Sequence, residues 1–278
     1  MNRSRLLLCF VLLMGACNPR IAEGVRKKDL GKDVEILTGK GRIVVRLSDK
    51  TPGHRNNFIR LVKKGFYDSI LFHRVIKGFV VQTGDPRTKP PSMQDPAFAS
   101  YTIPAEFDPE LFHKRGALNA ARTGEEGNPL QASSGTQFTM VQGKLFTDSL
   151  LDATEKRVTR MNAYRMVLQD PANKWMIAKL KEYGTTRDSV HAKQLRAWID
   201  TLTVRRMTQI PAYKFPPGHR QMYKTIGGAP HLDGNYVVFG EVITGLEVVD
   251  SIGSVATNRE RPVQDVRILQ MRMIKRKE

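Results

Sequence analysis

The chain has 278 residues, long enough for one large domain or two ordinary ones. Hydrophobic residues make up 40% and charged residues 26%, a globular composition that excludes a disordered chain, a collagen and a multi-span membrane protein. Lys and Arg number 45 against 27 Asp and Glu, and the net charge of +18 suits acidic partners without bearing on fold.

The first segment reads as an address. Residues 1–17 combine Arg3 and Arg5, an apolar run from Leu6 to Met14, and the small residues Gly15 and Ala16 before Cys17. That order marks a secretory signal, and the run is too short for a bilayer crossing of about 20 residues. The Met14-Gly15-Ala16-Cys17 ending resembles a bacterial lipobox, which implies a lipid on Cys17. A plain signal peptide cut nearby is the alternative. Residues 18–32 are polar and basic and read as a tether. The expected place is therefore the cell envelope, lipid-anchored and facing the periplasm. Both cysteines, Cys9 and Cys17, fall in the signal, so the mature body has no disulfide, thiolate metal site or cysteine nucleophile.

From residue 33 the apolar period becomes two. Val34 and Ile36, then Ile43, Val45 and Leu47, flank a Gly39-Lys40-Gly41 turn and predict a hairpin with one buried face. Thr51-Pro52 offers an N-cap and a first helical proline, and His54, Phe58, Leu61 and Val62 share a helical face up to Gly65. Further strands are predicted over 69–75, 78–82, 136–141, 236–242 and 266–274. Many short strands with few helices argue for a sandwich or a barrel.

Residues 147–226 have a different texture. Val158, Met161 and Leu168 fall at helical spacing, and Asp170-Pro171 opens a second stripe of Met176, Leu180 and Tyr183 before Gly184. Thr185 and Asp188 read as a capping box for a third helix lined by Leu195, Trp198 and Leu202. Fifteen Lys and Arg against seven Asp and Glu make this block basic. Strands on both sides of it give the pattern of a helical insertion into a β domain, whose ends must then lie close together.

Three ordered segments resemble the cyclophilin family of peptidyl-prolyl isomerases. They are Phe72-His73-Arg74-Val75-Ile76-Lys77-Gly78-Phe79-Val80-Val81-Gln82-Thr83-Gly84-Asp85, Ser134-Gly135-Thr136-Gln137-Phe138-Thr139-Met140, and the run from Leu232-Asp233-Gly234 to Val242. Arg115 to Arg122 is similar to the bacterial variant of the segment before the second motif. The resemblance covers about 33–146 and 227–275. It implies a mainly β fold, a closed eight-stranded antiparallel barrel with two capping helices, here in two parts (33–146 and 227–278) around the helical insertion.

An Xaa-Pro bond turns slowly because rotation breaks amide resonance, with a barrier of ~18–20 kcal/mol. A catalyst must hold the ring apolarly and stabilise a twisted amide whose nitrogen has regained its lone pair. An Arg fork donates to that nitrogen without being consumed. The resemblance assigns this role to Arg74, with Gln82 beside it. It assigns the substrate pocket to Phe79, Val80, Thr139, His231, Leu232 and Tyr236, and backbone bonds to an extended peptide to Ala121 and Arg122. No cofactor is implied. Nor is a metal, since His73 and His231 lack a cysteine or carboxylate at ligand spacing and suit packing or pocket lining. Asp85 and Asp233 precede turns and suit loop fixing.

Thr139 stands where the family usually has an aromatic pocket floor. Losing a ring of about 150–250 Å² weakens proline binding unless Tyr236 or an insertion residue fills the gap. The expected function is isomerisation of Xaa-Pro bonds in envelope proteins, with unfolded or extended Pro-containing polypeptides as partners and no nucleic acid. A catalytically weak peptide-binding module or holdase is the alternative. Since the motifs already supply every assigned site residue, the insertion is expected to be dispensable for isomerisation.

Overall fold

The computed structural model describes residues 24–98 and 101–276. The signal, Cys17 and most of the tether lie outside the described residues. Among the described residues, no helix is long and apolar enough to cross a membrane.

Eight strands form one antiparallel curled sheet: β1 (Lys32–Thr38), β2 (Gly41–Leu47), β3 (Arg74–Ile76), β4 (Val80–Thr83), β5 (Ala117–Ala120), β6 (Phe138–Val141), β7 (Val238–Thr244) and β8 (Ile268–Lys275). Their order is β8-β1-β2-β7-β5-β6-β4-β3. The expected hairpin is β1–β2, with Val34 opposite Val45 and Ile36 opposite Ile43. All four are fully buried.

The expected closure is not met. β3 and β8 are the ends of the ladder and share no register; between the segments that lead into them runs the isolated bridge Leu71–Arg267. The lead-in segments still exchange backbone bonds, Ser69 N to Ile268 O, Ile268 N to Ile70 O and Phe72 N to Val266 O at 2.9 Å each, and two features mark the seam beyond them. Ser69 takes a left-handed φ of 68°, which breaks the extended run before β3. The free edge of β3 is covered instead by a tight hairpin over 257–262, with Val75 N–H donating to Glu260 O at 2.7 Å.

Seven α-helices are described: α1 (Lys27–Leu30), α2 (Pro52–Lys63), α3 (Asp148–Gln169), α4 (Lys174–Thr186), α5 (Ser189–Met207), α6 (Pro217–Thr225) and α7 (Leu246–Gly253). α2 and α7 pack on the sheet's inner face, where Phe58, Leu61, Val249 and Ile252 join the strand residues in the main core. The start of α2 is not capped by the Thr51 side chain. Glu106 does this instead, accepting from Gly53 N and His54 N at 2.9 Å each.

Helices α3–α6 fill the interval between β6 and β7. Lys144 and Gly228 form a bridge, so the two ends of the interval meet. α3, α4 and α5 share a core of Val167, Leu168, Met176, Leu180, Leu195 and Ile199. Three sequence expectations fail here. α4 runs through Gly184 to Thr186 and stops at Arg187, φ 59°, and α5 is capped by Asp188 accepting from His191 N, without Thr185. Trp198 is half exposed, because Ala192, Leu195 and Ile199 form the buried stripe. A second cluster of Leu151, Phe215 and Tyr223 packs with Phe112 and ties the helices to the sheet.

Candidate active site

Strand register builds the site. Arg74 is opposite Gln82, Gln82 opposite Thr139, Thr139 opposite Asn119, and Asn119 opposite Val238. Directly opposed residues point to the same face, so these five side chains form one row across the outside of the curled sheet. The neighbouring row, Val75, Val81, Met140 and Leu118, points inward to the core. Alternation thus commits one set to stability and leaves the other for chemistry.

The row is wired by hydrogen bonds. Arg74 Nη1 donates to Gln82 Oε1 at 3.3 Å, and Gln82 Nε2 donates to Gln137 Oε1 at 3.0 Å. On its other side, Arg74 Nε donates to Glu260 Oε2 at 2.7 Å. Thr139 Oγ1 donates to Asn119 Oδ1 at 2.6 Å, and both side chains are buried. The hydroxyl that replaces a ring is therefore satisfied inside the sheet.

The 230–236 turn lies over the outer face. Asp233 anchors it: Oδ1 accepts from His113 N and pairs with His113 Nδ1 at 2.9 and 2.8 Å, and Oδ2 accepts from Tyr223 OH at 2.6 Å. This anchoring places Leu232 and Tyr236 against Val80, Ala117, Val141 and Val238 in a small apolar cluster. His231 packs on Phe79 with ring centroids 5.0 Å apart. Burial, with the Arg157 charge second, pushes its pKa down to about 4, so it is neutral at pH 7.

Every site residue expected from the sequence borders one cavity of about 280 Å³: Arg74, Gln82, Phe79, Val80, Ala121, Arg122, Thr139, His231, Leu232 and Tyr236. One differs from the expectation, and another adds a side-chain role to it. The Ala121 N–H donates to Gln137 O, and its carbonyl accepts from Ser134 N, so its backbone is already engaged in the sheet. Arg122 contributes its side chain, which bonds Asn235 O at 2.5 Å, pairs with Glu125 and lies 4.7 Å from the Tyr236 ring centroid. That cation–π contact holds the tyrosine in the cavity wall.

Three cavity residues were not expected: Asn119, Arg157 and Met161. Arg157 and Met161 belong to α3, so the helical insertion completes the pocket and is not a module apart from it. Their separation of four residues puts them on one helix face, a pattern visible in the sequence, but nothing there said where that face points. Glu260 and Gln137 were likewise missed. Gln137 sits in the second motif, whereas Glu260 carries no sequence signal linking it to Arg74.

Chemically, the cavity joins an apolar wall of Phe79, Val80, Met161, Leu232 and Tyr236 to a guanidinium whose remaining N–H groups have no partner among the described residues. That is what a twisted prolyl amide requires, and no proton has to be transferred.

Comparison with known proteins agrees with this geometry. The model of the cyclophilin type peptidyl-prolyl cis-trans isomerase family matches residues 33–158 and 217–273, about two thirds of the chain. A Staphylococcus saprophyticus protein with the provisional name peptidyl-prolyl cis-trans isomerase is 25% identical over 242 residues, covering 86% of this chain and 90% of its own. A Streptococcus pyogenes protein, provisionally named a bifunctional phosphatase/peptidyl-prolyl cis-trans isomerase, is 28% identical over 240 residues, and the chain spans 37% of its length. A Cryptosporidium parvum cyclophilin type peptidyl-prolyl cis-trans isomerase shares the fold at a TM-score of 0.51 and 18% identity, covering 88% of this chain and 99% of that one. With the matched segments lying on either side of α4 and α5 and carrying the Arg74–Gln82 row, the chain belongs to the cyclophilin-type peptidyl-prolyl cis-trans isomerase family.

Proposed function

We propose that this isomerase acts on Xaa-Pro bonds of unfolded or extended polypeptides in the cell envelope, held there by a lipid on Cys17. The observation that carries the catalytic part is the hydrogen-bonded Arg74–Gln82 pair beside an apolar cavity able to take a proline ring. Arg74 donates to the prolyl nitrogen as the amide twists, while the apolar wall holds the ring. One charge-assisted bond supplies about 1.5–3 kcal/mol, or one to two decades in rate. Conformational selection by the wall supplies the rest. The envelope part rests on the residue 1–17 pattern.

The test is cis–trans exchange of a blocked Ala-Pro peptide, followed by NMR with the full chain. Acceleration that Arg74→Ala removes supports the reading. A parent chain that binds the peptide without accelerating exchange supports the binding-module alternative, which the missing aromatic floor at Thr139 favours. For the anchor, mass spectrometry of the mature N-terminus should find a lipid-modified Cys17; an unmodified N-terminus elsewhere refutes it.

A further inference from the structure

Three guanidinium groups border the cavity, from Arg74, Arg122 and Arg157. Two are matched by carboxylates within the chain. Arg74 pairs with Glu260 and Arg122 with Glu125. Among the described residues no hydrogen bond or ion pair engages Arg157, which is exposed on α3. No carboxylate is among the residues that border the cavity. His231 is neutral at pH 7, and Asp233, whose charge reaches His231, lies behind the wall with its oxygens bonded to His113 and Tyr223. Lys144 stands near enough to depress His231 as well, which adds to the positive field. The bordering wall therefore carries one unmatched guanidinium, and the insertion supplies it.

A free guanidinium beside an apolar pocket is a ready partner for a carboxylate, which it can meet through two parallel N–H donors. α3 presents Met161 one turn from Arg157, so one helix face gives an apolar contact and a charge side by side. We propose that Arg157 makes this isomerase select proline segments with an Asp or Glu next to the Xaa-Pro bond. The ring sits against the apolar wall, and the flanking carboxylate pairs with Arg157. This rests on the isomerase reading of the same cavity and names its substrate class.

Blocked peptides Ala-Xaa-Pro-Xaa-Ala with Xaa as Glu, Gln or Lys test it, using the full chain. NMR titration gives their affinities, and exchange spectroscopy on the same samples gives turnover. The Glu peptide should bind about two- to fivefold tighter than the Gln peptide, the range of a solvent-exposed ion pair, with Lys weakest. Raising the salt to 1 M, where the Debye length is about 3 Å, should shrink that preference. Arg157→Gln should bring the Glu-to-Gln ratio to about one, and Arg157→Glu should invert the order. The ratio is read within one variant, so a loss of folded protein does not mimic the result. An equal ratio in the parent and in Arg157→Gln overturns the proposal, as does a parent that prefers none of the three or binds none. Absence of exchange catalysis on all three peptides overturns the isomerase reading, and the affinity ratio still decides Arg157.

Discussion

Arg74 Nε donates to Glu260 Oε2 at 2.7 Å, a contact between residues 186 positions apart. Glu260 sits in the hairpin over 257–262, where both it and Arg259 have left-handed φ, 68° and 47°. The same residue's carbonyl accepts from Val75 N, so the turn grips β3 at two points. Side chain and backbone together fix the arginine's position above the cavity. An Arg held at Nε keeps its Nη groups for Gln82 and for substrate.

This contact predicts a graded loss. Both partners are substantially exposed, so the pair adds only about 0.2–1 kcal/mol to stability. Glu260→Ala should leave the thermal midpoint nearly unchanged and lower kcat/KM about two- to fivefold through a less ordered Arg74. Arg74→Ala should cost about ten- to a hundredfold. Arg74→Lys should not restore it, because a point charge cannot bond Glu260 and Gln82 and still face the substrate in one plane. Exchange NMR on one peptide checks all three; a more active Glu260→Ala would show that Glu260 restrains the arginine.

The pocket floor gives a second prediction. Thr139 is 6% exposed and bonded to Asn119, so the apolar contact that a ring would offer comes in part from Met161 on α3. Met161→Ala should weaken proline-peptide binding by about 1 kcal/mol, roughly fivefold, as expected for a half-buried methionine. Thr139→Phe should destabilise the sheet, since it strips Asn119 of its partner and brings a large ring into a packed row. Peptide titration and urea unfolding separate the two effects.

The site was legible because three ordered motifs resemble those of a known family, while alternation in the sequence marked only which strand residues face the core. The resemblance assigned Arg74, Gln82 and Thr139 to one site, and strand register then sets them in one row. What stayed hidden needed long-range packing. The direction of the Arg157–Met161 face depends on how α3 meets the 230–236 turn, and the Arg74–Glu260 pair depends on a hairpin far along the chain. The open sheet was hidden for a similar reason. Ser69 breaks the run before β3 with a left-handed φ that residue type does not announce. Loop-fixing roles were easier to see. Asp85 accepts from Arg87 N at 3.0 Å and Asp233 anchors its turn, as their positions before turns suggest.

His231 predicts a pH dependence of folding. Its folded pKa, about 4, lies below the ordinary 6.5 because burial and the Arg157 charge disfavour the imidazolium. Between those values the unfolded chain binds the proton and the folded chain does not. Stability from this residue is therefore complete above pH 6.5 and declines as pH falls towards 4, by at most about 3 kcal/mol. His54 acts in the same direction, its pKa lowered by burial even though Glu106 opposes the shift. His231→Gln should remove part of the difference in urea midpoint between pH 7.5 and pH 5. An unchanged difference would mean that His231 is open to solvent.

The helical insertion supplies the last prediction, and the pocket residues Arg157 and Met161 on α3 argue against the expectation of a dispensable block. The bridge between Lys144 and Gly228 means that a short loop can join the cut ends geometrically. The energetic obstacle lies elsewhere. Tyr223, fully buried, donates to Asp233 Oδ2, and Phe215 and Leu151 pack with it against Phe112. Removing 147–226 strips Asp233 of one partner, at about 1–3 kcal/mol for an unsatisfied buried acceptor, and opens the apolar cluster to water. It also removes Met161 and Arg157 from the pocket. The deletion variant should therefore bind proline peptides weakly or fail to fold. Tyr223→Phe isolates the hydrogen bond from the rest of the deletion, and should lower stability by about 1–3 kcal/mol in urea unfolding followed by far-ultraviolet circular dichroism. Because Trp175 and Trp198 both lie on the inserted helices, tryptophan fluorescence in the same titration reports whether the insertion and the sheet unfold together. Coincident transitions are expected, since the Tyr223–Asp233 contact couples the two. A deletion variant that binds and turns over peptides like the parent would show that the sheet alone forms the working pocket.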